Sequence, residues 1–238
     1  MTTPSNVFPR ALSLAVHEFR TPVTVVSGYL RMLLREQAGP LTDTQRKMLE
    51  EADRSCTRIS ALVSEMSDLG KLESGELAAG GPAFDLSALV SEVASSMHEG
   101  EDRGIRLEVR ASRPVMVAGD RARLAAALKA LMHAALRERG NPGVIVVECT
   151  AVADGESRWG IVAIGEEPVA RHLSASTGSP SSPFDEWRGG LGLSLPVGRR
   201  VIEAHGGAVW SAPGDTPRAG TALRLPLDGG TTNLEGPS

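Results

Sequence analysis

Apolar residues recur along the first third of the chain at Leu12, Val16, Phe19, Val23, Val26, Leu30 and Leu33, in alternating steps of four and three. That spacing is the seam of a helix built to pack on other helices. A second run, Leu49, Ala52, Cys56, Ile59, Val63, Met66 and Leu69, keeps nearly the same period. Between them Ala38-Gly39-Pro40-Leu41-Thr42 supplies Gly and Pro as turn formers, and so short a connection requires an antiparallel hairpin. One hairpin cannot enclose its own seam, because each helix covers only part of the other's apolar stripe. Dimerisation into a four-helix bundle solves that problem and is the expected state.

The pattern fades at Glu73-Ser74-Gly75, and the Ala- and Gly-rich stretch ending at Pro82 reads as a linker. This places a helical hairpin at 10–74, a linker at 75–82, a second domain at 83–227 and a tail at 228–238, the tail expected to be disordered. In the second domain the periods mix. Phe84 to Met97 is a helical pattern opened by Asp85 or Ser87, and Ile105 to Arg110 alternates as a short strand. Asp120 caps a helix from Arg121 to Arg139 that stops at Gly140-Asn141-Pro142-Gly143. Val144 to Val152 and Trp159 to Ile164 flank Asp154-Gly155 as a hairpin, and Ser174 to Pro183 is a Ser/Pro-rich loop. A helix from about Leu191 to Ala204 ends at Gly206-Gly207, and strands Ala208 to Ser211 and Thr221 to Leu227 complete the set. Helices grouped beside an antiparallel-leaning sheet imply a two-layer α/β sandwich.

Composition narrows the function. The 238 residues carry 25 basic and 29 acidic side chains, a net charge of -4, and only 3% are aromatic. Such a surface is poorly suited to holding nucleic acid through phosphate neutralisation or base stacking, so protein or small-molecule partners are expected. No stretch approaches the roughly 18 apolar residues of a spanning helix, and no secretory leader opens the chain, which gives an expectation of a cytoplasmic protein. Cys56 and Cys149 make neither a metal spacing nor a disulfide framework, and both are expected to be reduced and buried.

The sharpest chemical signal is His17-Glu18-Phe19-Arg20-Thr21-Pro22, beside the Val16 and Phe19 seam positions, where the imidazole should be exposed. A neutral imidazole nitrogen is a competent phosphoryl acceptor, and the Glu18 carboxylate can hold the other ring nitrogen in the required tautomer. Pro22 cannot donate to the carbonyl of Glu18, so the helix is expected to bend there and leave room for a partner. The bland account is a solvated histidine with an incidental kink. A zinc-protease account needs a second His at position 21, which is Thr.

The hexad resembles the phosphoacceptor box of the two-component sensor histidine kinases. The flanking hairpin, including its Leu69-Gly70-Lys71-Leu72-Glu73-Ser74-Gly75 ending, is similar to their dimerisation and histidine-phosphotransfer domain. The resemblance implies that Thr21 stands where family members position the water attacking a response regulator's aspartyl phosphate. It also implies that the second domain is an α/β sandwich of the histidine-kinase ATPase, Bergerat-like type.

Box by box, that second likeness is incomplete. Where the family places two Asn residues, one holding magnesium, this chain has Ala130 and Ala134, and a methyl group offers a hard cation no oxygen. His133 is no substitute ligand for magnesium and reads as a surface residue. Where the family places an Asp for the adenine amine followed by two glycines, the chain reads Ile164-Gly165-Glu166-Glu167-Pro168. An unpartnered buried amine costs about 1–3 kcal/mol, and the two carboxylates should repel phosphate. The surviving piece is Gly189-Gly190-Leu191-Gly192-Leu193-Ser194-Leu195, similar to the second glycine box, with Gly190 and Gly192 as weak nucleotide contacts whose better account is close packing. Phe184 takes the place of the lid phenylalanine, and His205 reads as a structural helix-terminal residue.

Three functions follow from these residues. The favoured one is phosphoryl transfer between His17 and an aspartate of a response-regulator receiver domain, or its removal with the help of Thr21, with no cofactor of its own. The second is an ATP-dependent kinase that phosphorylates His17, in which ATP and magnesium enter only if the altered site still binds them. The third is a binding module that regulates another histidine kinase. The expected partners are a receiver domain, a second copy of the chain and, for the third function, that other kinase. No sensor region precedes His17, an expectation that the input comes from a partner.

Overall fold

A computed structural model describes residues 7–74, 80–98, 100–111, 113–155, 157–175, 183–186, 192–212 and 220–228. The chain divides into two compact units, Met1–Leu77 and Ala78–Ser238.

The first unit is a helical hairpin of α1 (Val7–Leu34) and α2 (Asp43–Glu73). Its turn is fixed by local polar chemistry. Thr42 caps α2 in a reciprocal box, its hydroxyl accepting from the Gln45 amide while its own amide donates to Gln45 Oε1 at 2.9 Å. Arg46, one turn into α2, reaches back to the Leu34 carbonyl at 3.3 Å and to Glu36, closing the end of α1. Val16, Cys56 and Val63 are buried between the helices. Phe19 and Val26, expected in the same seam, are instead 54% and 50% exposed. They lie a fraction of a turn around α1 from the side that meets α2, and Leu14, Val25, Tyr29 and Met32 are exposed as well. The repeat therefore encodes more apolar surface than one hairpin covers.

The second unit contains β1 (Ala83–Asp85), α3 (Leu86–Ser95), β2 (Ile105–Ala111), β3 (Met116–Ala118), α4 (Arg121–Glu138), β4 (Gly143–Asp154), β5 (Ser157–Gly165), α5 (Glu167–Ala175), α6 (Ser194–Ala204), β6 (Ala208–Ser211) and β7 (Thr221–Pro226). Five strands form one sheet in the order β2-β4-β5-β7-β6, antiparallel except for the β2–β4 pair. β1 and β3 form a separate two-stranded ribbon. Leu86, Leu89, Leu131, Ile145, Ile161, Ile202 and Trp210 are fully buried.

Side chains of successive strand residues point to opposite faces. Cys149 Sγ lies 3.8 Å from Ser87 Oγ of α3, while its neighbour Glu148 accepts from Ser174 Oγ of α5 at 2.7 Å. The expected layer of helices thus covers one face, and α5 covers part of the reverse one. This helix was not anticipated: its residues read as a failed glycine box leading into a loop. Pro168 in the first turn, where a missing amide donor costs nothing, and buried Ala170 and Leu173 one turn apart account for it.

Candidate functional site

α1 carries Val16 against α2, which turns the next residue, His17, about 100° round the helix toward solvent. The His17 and Glu18 side chains are 79% and 73% exposed, and Nδ1 of His17 lies 3.9 Å from Glu18 Oε1. That distance lets the carboxylate attract an Nδ1 proton but is too long for a hydrogen bond. The other nitrogen, Nε2, is the one left for an incoming group. Thr21, four residues on, is exposed on the same side of α1. α1 runs unbroken from Val7 to Leu34 with Pro22 inside it. Proline's missing N–H still deprives the Glu18 carbonyl of its helical donor.

Immediately below, α1 and α2 part to form a cleft of about 190 Å³ lined by Arg20, Val23, Thr24, Ser60, Val63 and Ser64. Its lining combines two valines, three hydroxyls and one guanidinium. Thr24 Oγ1 donates to the Arg20 carbonyl at 2.8 Å and Ser60 Oγ to the Cys56 carbonyl at 3.0 Å, so both hydroxyls are held by their own helices.

In the second unit Ala130, Ala134 and Ile164 stand at positions that the resemblance assigns to a nucleotide site. Ala134 and Ile164 are fully buried and Ala130 is 7% exposed. Ile164 pairs across the sheet with Val147 on one side and Thr221 on the other. None of these three side chains has an oxygen for magnesium or an acceptor for an amine. Glu166, at a glycine position of the resemblance, pairs with Arg139 at 2.7 Å, and that guanidinium also donates to the carbonyls of Asn141, Pro142 and Val144. Glu167 pairs with Arg110 at 3.0 Å and with Arg171 at 2.8 Å. The Arg110 guanidinium first, then Arg171, holds the Glu167 carboxyl below the usual carboxylate range. Both carboxylates thus have internal counter-charges, which corrects the expectation that they stand ready to repel phosphate.

Gly192 is exposed and left-handed, with φ +67°, two residues before α6. Gly190 lies outside the described residues. Phe184 is 7% exposed, and Glu186 two residues later pairs with Arg199 of α6 at 3.2 Å. His133, read as a surface residue, is half-buried. His205 is 8% exposed, and both of its ring nitrogens are engaged: Nδ1 with the Val201 carbonyl at 2.7 Å and Nε2 with the Asp120 amide at 3.0 Å. A carbonyl on one side and an N–H on the other fix the neutral Nδ1–H tautomer. The ring bolts the start of α4 to the end of α6, a contact that sequence spacing gave no means of finding.

An exposed imidazole beside a carboxylate on a helical hairpin, followed by a mixed α/β sandwich, is the arrangement that the sequence resemblance implies. Comparison with known proteins agrees. Residues 10–75 match the His Kinase A (phospho-acceptor) domain. Over 203 residues the chain is 28% identical to the signal transduction histidine-protein kinase BarA of Escherichia coli (strain K12), which covers 81% of this chain and 22% of BarA. Over 216 residues it is 27% identical to the cell-division control histidine kinase PdhS of Brucella suis, covering 84% and 21%. The chain therefore spans about a fifth of the length of these relatives. In fold it is similar to full-length ShkA, crystallised in complex with AMPPNP, with a TM-score of 0.67 at 24% identity over 92% of this chain and 46% of that one. It is also similar to the histidine kinase AdeS of Acinetobacter baumannii, with a TM-score of 0.55 at 20% identity over 89% and 98%. Residues 10–75 are thus similar to a His Kinase A (phospho-acceptor) domain, and the chain as a whole resembles two-component sensor histidine kinases.

Proposed function

We propose that this chain passes phosphoryl groups between His17 and the aspartate of a response-regulator receiver domain, without making phosphohistidine from ATP. One contrast carries the reading. The His17–Glu18 pair is intact and open to solvent, whereas Ala130, Ala134 and Ile164 are buried methyl and butyl groups where the nucleotide's metal and base need oxygen. Transfer between His and Asp demands mainly positioning, and the receiver brings its own acidic, metal-binding pocket, so loss of ATP chemistry leaves this half-reaction available.

The step balances without further reactants. The Nε2 lone pair attacks phosphorus of the receiver's aspartyl phosphate. The N–P bond forms as the P–O bond breaks, and the electron pair returns to the aspartate carboxylate. The Nδ1–H of the resulting imidazolium faces Glu18, whose charge stabilises it. The reverse step delivers the group to another receiver. Thr21, one turn along the same face, would orient a water against the aspartyl phosphate when the outcome is hydrolysis, the role that the resemblance implies for it. Domains of this family are dimeric and work with response regulators, and the exposed Phe19 and Val26 supply this chain with the apolar face for a second copy.

A phosphorylated receiver bearing 32P should label the wild-type chain and leave His17→Gln unlabelled. Labelling that persists in His17→Gln would remove the reading. An ATP-dependent autokinase is the second reading, favoured by the AMPPNP-bound relative in fold and by the left-handed Gly192 before α6. Label from ATP and Mg²⁺ that depends on His17 would establish it instead.

A further inference from the structure

The cleft beside His17 contains a cation without an assigned purpose. Arg20 is exposed and lines that cleft together with Val23, Val63, Thr24, Ser60 and Ser64. Residues three apart on a helix are neighbours, about 5–6 Å between Cβ atoms, so Arg20 stands one turn along the same side of α1 as His17. Glu18 does not neutralise it, because residues two apart point to different sides. Among the described residues Arg20 has no carboxylate partner, whereas Arg46 and Arg54 of α2 are each ion-paired. An unpaired guanidinium lining such a cleft is a ready donor fork for a tetrahedral dianion, which it meets with two parallel charge-assisted bonds.

We infer that Arg20 grips the phosphoryl group itself, holding its non-bridging oxygens as the group moves onto and off His17 Nε2. The inference rests on the reading that His17 carries phosphate, and adds to it a catalytic residue. The two neighbours then divide the work by charge. Glu18 faces the proton-bearing nitrogen, and Arg20 faces the dianion. Charge developing on the equatorial oxygens in flight meets a cation already in place, which is worth rate as well as binding. The same grip shields phosphohistidine once formed, so its removal should shorten the life of the phosphorylated protein.

Phosphoramidate provides the discriminating donor. It phosphorylates an imidazole with ammonia leaving and docks on no protein surface, so a loss there cannot come from weakened receiver binding. With phosphoramidate the wild type should gain label at His17. Arg20→Ala should gain it at least about tenfold more slowly and lose it faster on dilution into donor-free buffer. Arg20→Lys should recover part of the rate. Arg31→Ala, which removes another exposed α1 cation three turns away, should stay within about twofold of wild type; a loss equal to that of Arg20→Ala would reduce the effect to general charge and overturn the assignment. Helix content by circular dichroism should match in all four proteins, because Arg20 is exposed. Equal rates and equal phosphohistidine lifetimes in wild type and Arg20→Ala would sink the inference while leaving the role of His17 standing. Failure of the wild type to accept phosphate from phosphoramidate or from a phosphorylated receiver would overturn both.

Discussion

The two most informative histidines do opposite things because of where each helix turns them. His17 follows a buried valine and points outward, while His205 ends α6 buried and engaged at both ring nitrogens. A histidine before two glycines is read from sequence as structural, but its partner 85 residues away is not legible, since no local rule links Asp120 to it. Replacing His205 with Ala leaves the Asp120 amide without its acceptor and should lower stability by about 1–3 kcal/mol in urea unfolding. Gly119→Ala should cost at least as much. Its φ is +154°, and an added Cβ would lie 2.3 Å from the His205 ring. Stabilities within 0.5 kcal/mol of wild type for either variant, on the order of measurement error for surface substitutions, would contradict the bolt.

Cys149 gives a pH prediction at the same scale. Burial pushes its thiol up to about 12, against the opposing effect of the hydrogen bond with Ser87 Oγ. The folded state therefore holds this proton more tightly than the unfolded chain, whose thiol titrates at its ordinary value of 9.0. The contribution is fully present below that value and is lost as pH rises through about 12. Denaturation midpoints of the second unit should fall progressively above pH 9, and Cys149→Ser should flatten that slope. Cys149 should also resist alkylation in the native protein at pH 8 and react on unfolding.

At the scale of elements, the long ones and the four-residue β6 were legible, whereas β1, β3 and α5 were not. α1, α2 and α4 announce themselves by period and by the caps Thr42 and Asp120. β1 and β3, three residues each, are too short to show alternation, and Asp85 ends one while capping α3. α5 was hidden by expectation of a glycine box, although Glu167 and Pro168 in its first turn are ordinary helix-start residues. Thr42→Ala tests the hairpin turn. It removes one side of a reciprocal cap and should cost about 0.5–2 kcal/mol, read as a lower thermal midpoint, with helix content otherwise retained. An unchanged midpoint would mean that Arg46, bonded to Leu34 and Glu36, suffices to close the turn.

For the whole molecule, the sequence pointed to a hairpin and a sandwich but could not say which seam positions serve which interface. A heptad marks residues that are apolar, and Phe19 and Val26 carry the mark while facing away from α2. Their exposure fits a second copy of the chain. Sedimentation should give a dimer for wild type, and Phe19→Glu with Val26→Glu together should give a monomer that keeps its helix content. A wild-type monomer at protein concentrations on the order of tens of micromolar would remove the four-helix bundle. The candidate site was legible on α1 because phosphoryl chemistry needs particular side chains in one short run. In the second unit the ion pairs of Glu166 and Glu167 were not legible, because they needed the fold to bring Arg139 and Arg110 to them.

The most direct test of the account is the transfer of radiolabelled phosphate from a purified, phosphorylated receiver domain to this chain. The account predicts label on the wild type that is stable in base and labile in acid, as a phosphoramidate bond is, and that disappears in His17→Gln. A wild-type chain that remains unlabelled by every receiver of its source, or one whose label survives in His17→Gln, would contradict it.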